Sequence, residues 1–137
     1  MTKFQIIIDS IAGTVGAVIG FLFGEITGLF WALIAFMAMD YISGVVIAVI
    51  RRELSSEVGF TGLAKKLFIL CFVAMGHIID AYIIGSSSVF MTAVILFYTA
   101  NEGISLLENA SILGLPVPER LKEVLLQIKR KGEEENE

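Results

Sequence analysis

The sequence consists of long apolar runs separated by short polar segments. The runs cover residues 6–23, 28–50, 67–84 and 89–107. A helix needs about 20 apolar residues to cross the hydrocarbon layer of a bilayer, which is roughly the length of each run. Apolar and polar residues do not alternate within the runs, and backbone groups in lipid must pair within their own segment. The pattern predicts an all-α integral membrane protein with a bundle of four transmembrane helices.

The connections and the basic residues predict how the helices are arranged. Residues 24–28 and 85–88 form short connections, so the helices that flank them should be antiparallel hairpins, whereas residues 51–66 form a longer polar loop. With four spans, all ten Lys and Arg residues fall on one side of the membrane. The positive-inside rule makes that side the cytoplasm of a bacterial inner membrane, with both termini in it.

The first run leaves two alternatives open. Asp9 interrupts it, so the run could lie on the membrane surface, which would leave three spans and place Lys3 outside. Lys3 and the apolar run also fit a cleaved signal peptide. No small-x-small cleavage site follows Phe23, which disfavours this second alternative.

Residues 115–137 predict a tail behind a transmembrane domain of residues 1–114. Gly114 ends the fourth run, and Pro118 suits a first helical position. Apolar residues then recur at helical spacing between basic ones, which predicts a short cytoplasmic amphipathic helix. It would lie on the inner leaflet, pack against residues 51–66, or cap the bundle from beneath. The chain ends in a solvated acidic run, Glu133, Glu134, Glu135 and Glu137.

Composition supports a membrane protein and argues against most chemistry. The 137 residues are 56% hydrophobic with a mean hydropathy of +0.84, which leaves too little polar surface to coat a water-soluble globule. One cysteine and one histidine provide no disulfide framework and no metal site. The sequence has no Gly-rich phosphate loop and no nucleophile motif. We therefore expect no enzyme activity and no cofactor, and since the topology explains the basic residues, no nucleic-acid partner.

Polar side chains inside the apolar runs are the first candidates for function. A carboxylate in the middle of a bilayer is costly, so it is usually directed into protein or water. Three of the four runs carry such groups near their middle or along one helical face. These groups either line a water-accessible or inter-subunit surface, or lock the bundle of a single chain. The candidate residues are Asp40, Ser43, His77, Asp80, Tyr98, Asn101, Glu102, Ser105, Glu108 and Asn109.

Glycines at helical spacing are the second set of candidates. Glycines four residues apart line one face of a helix and let another backbone approach closely. The spacing fits packing within one chain and contact between copies equally well. The candidate packing glycines are Gly13, Gly16, Gly20, Gly24 and Gly44.

Several short motifs, in order along residues 40–125, resemble those of the phage-lysis and toxin-secretion holin family. Each is weak alone, and the order makes the set specific. The first forty residues carry no matching motif. The motifs are Asp40-Tyr41-Ile42-Ser43-Gly44, then Leu54-Ser55-Ser56 with Gly59, Gly62-Leu63 and Lys65-Lys66-Leu67, then His77-Ile78-Ile79-Asp80, Phe97-Tyr98-Thr99-Ala100-Asn101-Glu102-Gly103-Ile104-Ser105, Leu107-Glu108-Asn109-Ala110, Leu113-Gly114-Leu115-Pro116-Val117-Pro118 and Leu121.

The resemblance implies a protein that accumulates in the bacterial cytoplasmic membrane and forms homo-oligomers. Such assemblies open lesions or pores through which a cell-wall hydrolase (an endolysin) or a toxin leaves without a signal peptide. Two alternatives remain open at this point. The chain could be a narrow ion-conducting channel or small transporter subunit, or a non-conducting membrane scaffold whose polar residues only hold the bundle together.

Overall fold

The computed structural model describes residues 1–135, and these fold entirely as helices and connections without a strand. Four helices are long and apolar enough to cross a membrane, which confirms the predicted all-α architecture with four span-length helices. A fifth, shorter helix follows them. The elements are α1 (Lys3–Phe23), α2 (Gly28–Ile50), α3 (Ser56–Ile78) with a π-helical extension (Ile79–Ile84), α4 (Val89–Ile112) and α5 (Glu119–Glu134).

The connection between α2 and α3 is shorter than the sequence predicts. The polar loop predicted over residues 51–66 is wrong, because α3 already begins at Ser56. The Ser55 hydroxyl caps this end by accepting the Val58 amide at 3.1 Å, and Glu57 lies favourably in the first turn of the helix. The polar residues of this segment therefore form the first turns of a long helix.

The core lies between α2, α3 and α4. Leu33, Val73 and Ile95, one from each helix, are almost completely buried in it. The backbones of α3 and α4 approach closely where a Cβ added at Gly76 would lie 3.0 Å from the Met91 backbone. These three packed helices hold most of the candidate polar residues.

Helix α1 diverges from the other helices. Its residues up to Phe21 are all exposed. It meets the rest of the chain at its C-terminal end, where the Phe21 and Tyr82 rings lie 5.2 Å apart and Phe23 packs on Phe30. In a bilayer, the exposed apolar side chains of α1 would face lipid or another polypeptide.

Helix α5 lies in the tail and packs on α4 rather than against residues 51–66, which is one of the three positions that the sequence allows for it. It folds back along α4 in the antiparallel direction, with Leu125 against Gly103 and Gly132 against Ala93. A Cβ added at Gly132 would lie 2.9 Å from the Ala93 carbonyl oxygen, so the absent side chain allows the two backbones to touch.

Candidate functional site

Three charged side chains meet at the same depth in the bundle. Asp40 on α2, Lys66 on α3 and Glu102 on α4 each lie ten residues from the helix end beside the 51–55 connection or the 113–118 connection. We call this end of the bundle the basic end. At about 1.5 Å per residue, ten residues place each group about 15 Å from it. The common register brings the three side chains together well inside three span-length helices.

Lys66 bridges the two carboxylates. Its ammonium group donates to Asp40 Oδ2 at 2.5 Å and to Glu102 Oε2. The side chains of Lys66, Asp40 and Glu102 are only 17%, 16% and 9% exposed. An ammonium group between two carboxylates offsets much of the cost of placing these charges in an apolar layer. With both carboxylates ionised, the group carries one excess negative charge.

Two further polar side chains extend this arrangement toward the basic end. Asn109 Nδ2 donates to Ser43 Oγ at 2.8 Å and more weakly to Asp40 Oδ1 at 3.4 Å. Ser43 Oγ donates to the Asp40 carbonyl oxygen at 2.9 Å. Together Asp40, Ser43, Lys66, Glu102 and Asn109 form what we call the polar cluster. It ties α2, α3 and α4 together through side chains alone.

Glycines of α3 make room for Tyr41 beside the polar cluster. The Tyr41 hydroxyl donates to the Gly59 carbonyl oxygen at 3.3 Å. A Cβ added at Gly62 would lie 3.1 Å from the Tyr41 ring. The first turns of α3 can therefore approach α2 closely enough for Lys66 to reach Asp40.

The polar cluster is open on two sides. A cleft of about 250 Å³ between α2 and α3 is lined by Asp40, Tyr41 and Lys66. A second cleft of about 640 Å³ lies between α3 and α4, where Lys66 and Glu102 form part of the wall. Three other predicted candidates line this second cleft, Tyr98, Asn101 and Ser105. Seven of the ten candidate polar residues therefore gather around one site.

Asp80 and His77 lie elsewhere. Asp80 is 1% exposed and accepts hydrogen bonds from the first turn of α4, so it caps that helix. His77 lies against the turn that ends α1, where a Cβ added at Gly24 would be 2.5 Å from the imidazole ring. Glu108 is exposed and lines a small cleft with Lys122 of α5. The ten candidates are thus not one continuous face within this chain.

The candidate packing glycines make little contact within the chain. A Cβ added at Gly13, Gly16 or Gly20 would meet none of the described atoms within 4 Å, and the same holds for Gly44. Gly24 is the exception: it contacts His77 and has a φ of +64°. A contact between copies through the α1 glycines stays a prediction.

Sequence reasoning assigned no site role to Lys66, which entered only as part of the Lys65-Lys66-Leu67 motif. The positive-inside rule already accounted for this residue as part of a cytoplasmic loop, so no further role was assigned to it. The signal that could have found it is charge balance, since Asp40 and Glu102 need a counter-charge and Lys66 directly precedes the third apolar run. Within residues 1–135, no group of three or more His, Cys, Asp or Glu side chains is placed to hold a metal ion.

Comparison with known proteins identifies the family. The model of the bacteriophage holin family matches residues 17–130, from the second half of α1 to near the end of α5. The chain belongs to the bacteriophage holin family. The match includes the whole polar cluster and confirms the resemblance carried by the motifs of residues 40–125. With its four span-length helices, this holin-family chain is a multi-pass membrane protein.

Relatives of this holin-family chain occur in bacteria and in a phage. An uncharacterized protein of Listeria innocua is 48% identical over 122 residues, which are 89% of this chain and 86% of the relative. An uncharacterized 14.9 kDa protein of Clostridium perfringens is 38% identical over 99 residues, 72% of this chain and 75% of the relative. The protein named probable holin of Bacillus phage phi105 is 32% identical over 117 residues, 85% of each chain. No solved structure matches the chain.

Proposed function

We propose that this chain acts as a holin. Its copies associate in the bacterial cytoplasmic membrane and form lesions that release an endolysin or a toxin lacking a signal peptide. Family membership supports this activity, which requires no catalysis. The observation that carries the proposal is the polar cluster, because it places charged side chains in the middle of span-length helices and leaves them open to two clefts.

The polar cluster suits a protein with a closed and an open state. In the closed state its charges are paired between helices of one chain, which makes them tolerable in an apolar layer. In an assembly that admits water, water reaches the same groups through the two clefts while the pairs within each chain persist. Charged groups that are costly in lipid thus favour the open state once water reaches them.

The proposed orientation places the basic end in the cytoplasm. Arg51 and Arg52 lie in the connection at this end. The start of the tail lies on the same side. Lys3 also lies there if α1 spans the membrane. A chain inserted in this way obeys the positive-inside rule at every connection between spans.

Induced expression in a bacterium tests the proposed function directly. The membrane potential and the release of a co-expressed cytoplasmic muralytic enzyme are followed together. We expect a sudden depolarisation accompanied by enzyme release. Depolarisation without release would instead indicate a narrow ion-conducting channel, and inserted protein that produces neither would indicate a scaffold.

The role of the polar cluster is tested by Glu102→Gln in the same assay. This change removes the excess negative charge and leaves the Lys66–Asp40 pair, so the closed state becomes less costly and depolarisation should be delayed. Glu108→Gln is the matched control, since Glu108 lies on the same helix but outside the cluster and is exposed. Equal timing of the two variants, at equal expression, would refute a role of the cluster in opening.

A further inference from the structure

Helix α5 reaches deep along the transmembrane bundle. Its contact between Gly132 and Ala93 lies four residues from the start of α4, about 6 Å from the end of the bundle opposite to the basic end. The 16 residues of α5 extend about 24 Å, compared with a hydrocarbon layer of about 30 Å. Docked in this way, α5 lies across most of the thickness of the membrane.

The docked helix presents most of its charges away from α4. Leu125 and Gly132 are buried on α4, and the Lys129 ammonium group lies 5.5 Å from the centre of the Phe97 ring. The opposite face of α5 is exposed and carries charges of both signs. The exposed polar residues of this face are Arg120, Glu123, Gln127, Arg130, Lys131 and Glu134.

This face requires water, although it lies at the depth of the lipid. Ionisable side chains are unfavourable next to hydrocarbon and occur there facing a protein interior or a water-filled cavity. Within residues 1–135, no helix covers the charged face of α5. A single chain therefore cannot provide the aqueous surroundings that the docked position needs, whereas a ring of several copies can enclose them.

We propose that α5 lines the water-filled lumen of the assembled lesion, docked on α4 with its charged face toward the lumen. This inference rests on the proposed function, because the lumen belongs to the assembly. The helix is too polar to insert on its own, so it lies on the cytoplasmic side until water enters between the copies. Charges of both signs suit the passage of a folded macromolecule better than selection of ions of one sign.

Spin labels on the full chain test this position in vesicles of phosphatidylethanolamine and phosphatidylglycerol. Cys71→Ser removes the native thiol. Labels are then placed at Lys131→Cys on α5 and at Ser86→Cys in the connection at the opposite end of the bundle. In vesicles that release entrapped dextran, we expect a distance between these labels clearly below the bilayer thickness of about 30 Å. The Lys131→Cys label should also be reached by a water-soluble nickel chelate.

A label at Ile42→Cys serves as the control for lipid exposure, since Ile42 is an exposed apolar residue of α2. A long distance between the labels at positions 131 and 86 in releasing vesicles would place α5 at the membrane surface and overturn the inference alone. A short distance with a label that behaves like the one at Ile42 would place α5 in lipid, which also overturns it. Vesicles that release nothing would overturn the proposed function and the lumen with it.

Docking itself is tested by Gly132→Ala in the labelled chain. The added Cβ would lie 2.9 Å from backbone atoms of α4, so we expect the short-distance population to fall at least severalfold. Gly28→Ala is the matched control, because a Cβ added there meets none of the described atoms within 4 Å. An unchanged distance distribution in Gly132→Ala would contradict the docked arrangement.

Discussion

Replacing Lys66 with Met is expected to destabilise the helical bundle by about 3–5 kcal/mol, the usual cost of removing one partner from a buried ion pair. The change leaves the carboxylates of Asp40 and Glu102 facing each other in a largely buried site without a counter-charge. We expect this loss in the free energy of unfolding of the detergent-solubilised protein, and a lower amount of inserted protein in cells.

The neighbouring lysine provides the control for this prediction. Lys65 is exposed and makes no ion pair among the described residues, so Lys65→Met should change the unfolding free energy by less than about 0.5 kcal/mol. Adding Asp40→Asn and Glu102→Gln to Lys66→Met removes the unpaired charges and should restore most of the stability. If Lys66→Met were as stable as Lys65→Met, the ion pairs would not hold the three helices together.

The spans could be predicted because bilayer thickness and apolar length are directly related. The same physics singled out Asp40 and Glu102, since a charge in an apolar run is costly wherever the run folds. It did not identify their partner, because a lysine at the edge of an apolar run already has an ordinary explanation in the topology rule. Only the packing of α3 between α2 and α4 shows that Lys66 points inward.

The position of α5 could not be predicted for a different reason. The hydropathy of α5, with its many charges, predicts that it lies in water. The residue pattern of α5 does not identify the surface on which it docks. The contact between α4 and α5 depends on Gly103 and Gly132. The sequence shows that these residues are small, but it does not show how the two helices align. The first turns of α3 were missed similarly, because their polar residues resemble a loop until Tyr41 packs against Gly59 and Gly62.

Asp80→Ala is expected to destabilise the protein by about 2–4 kcal/mol through the start of α4. The carboxylate accepts the Phe90 amide at 3.1 Å, the Met91 amide at 2.9 Å and the Ser87 hydroxyl at 3.1 Å. Without it, donors in a buried site lose their acceptor, and the positive end of the helix dipole loses its anion. Unfolding measurements and faster hydrogen exchange at the Phe90 and Met91 amides would report the loss.

The exposed Asp9 provides the comparison, because among the described residues its carboxylate accepts one hydrogen bond, from Gln5 Nε2 at 3.3 Å. Asp9→Ala should therefore be nearly neutral in unfolding. The pair of variants also separates two roles of intramembrane acids. A cap acts on the stability of α4, so Asp80→Asn, which keeps one acceptor oxygen, should recover part of the lost stability. An acid that faced the water of an open lesion would instead alter release at unchanged stability. If Asp80→Ala were as stable as Asp9→Ala but altered release, Asp80 would belong to the lesion. The capping geometry instead assigns Asp80 to the fold, which holds the polar cluster in register.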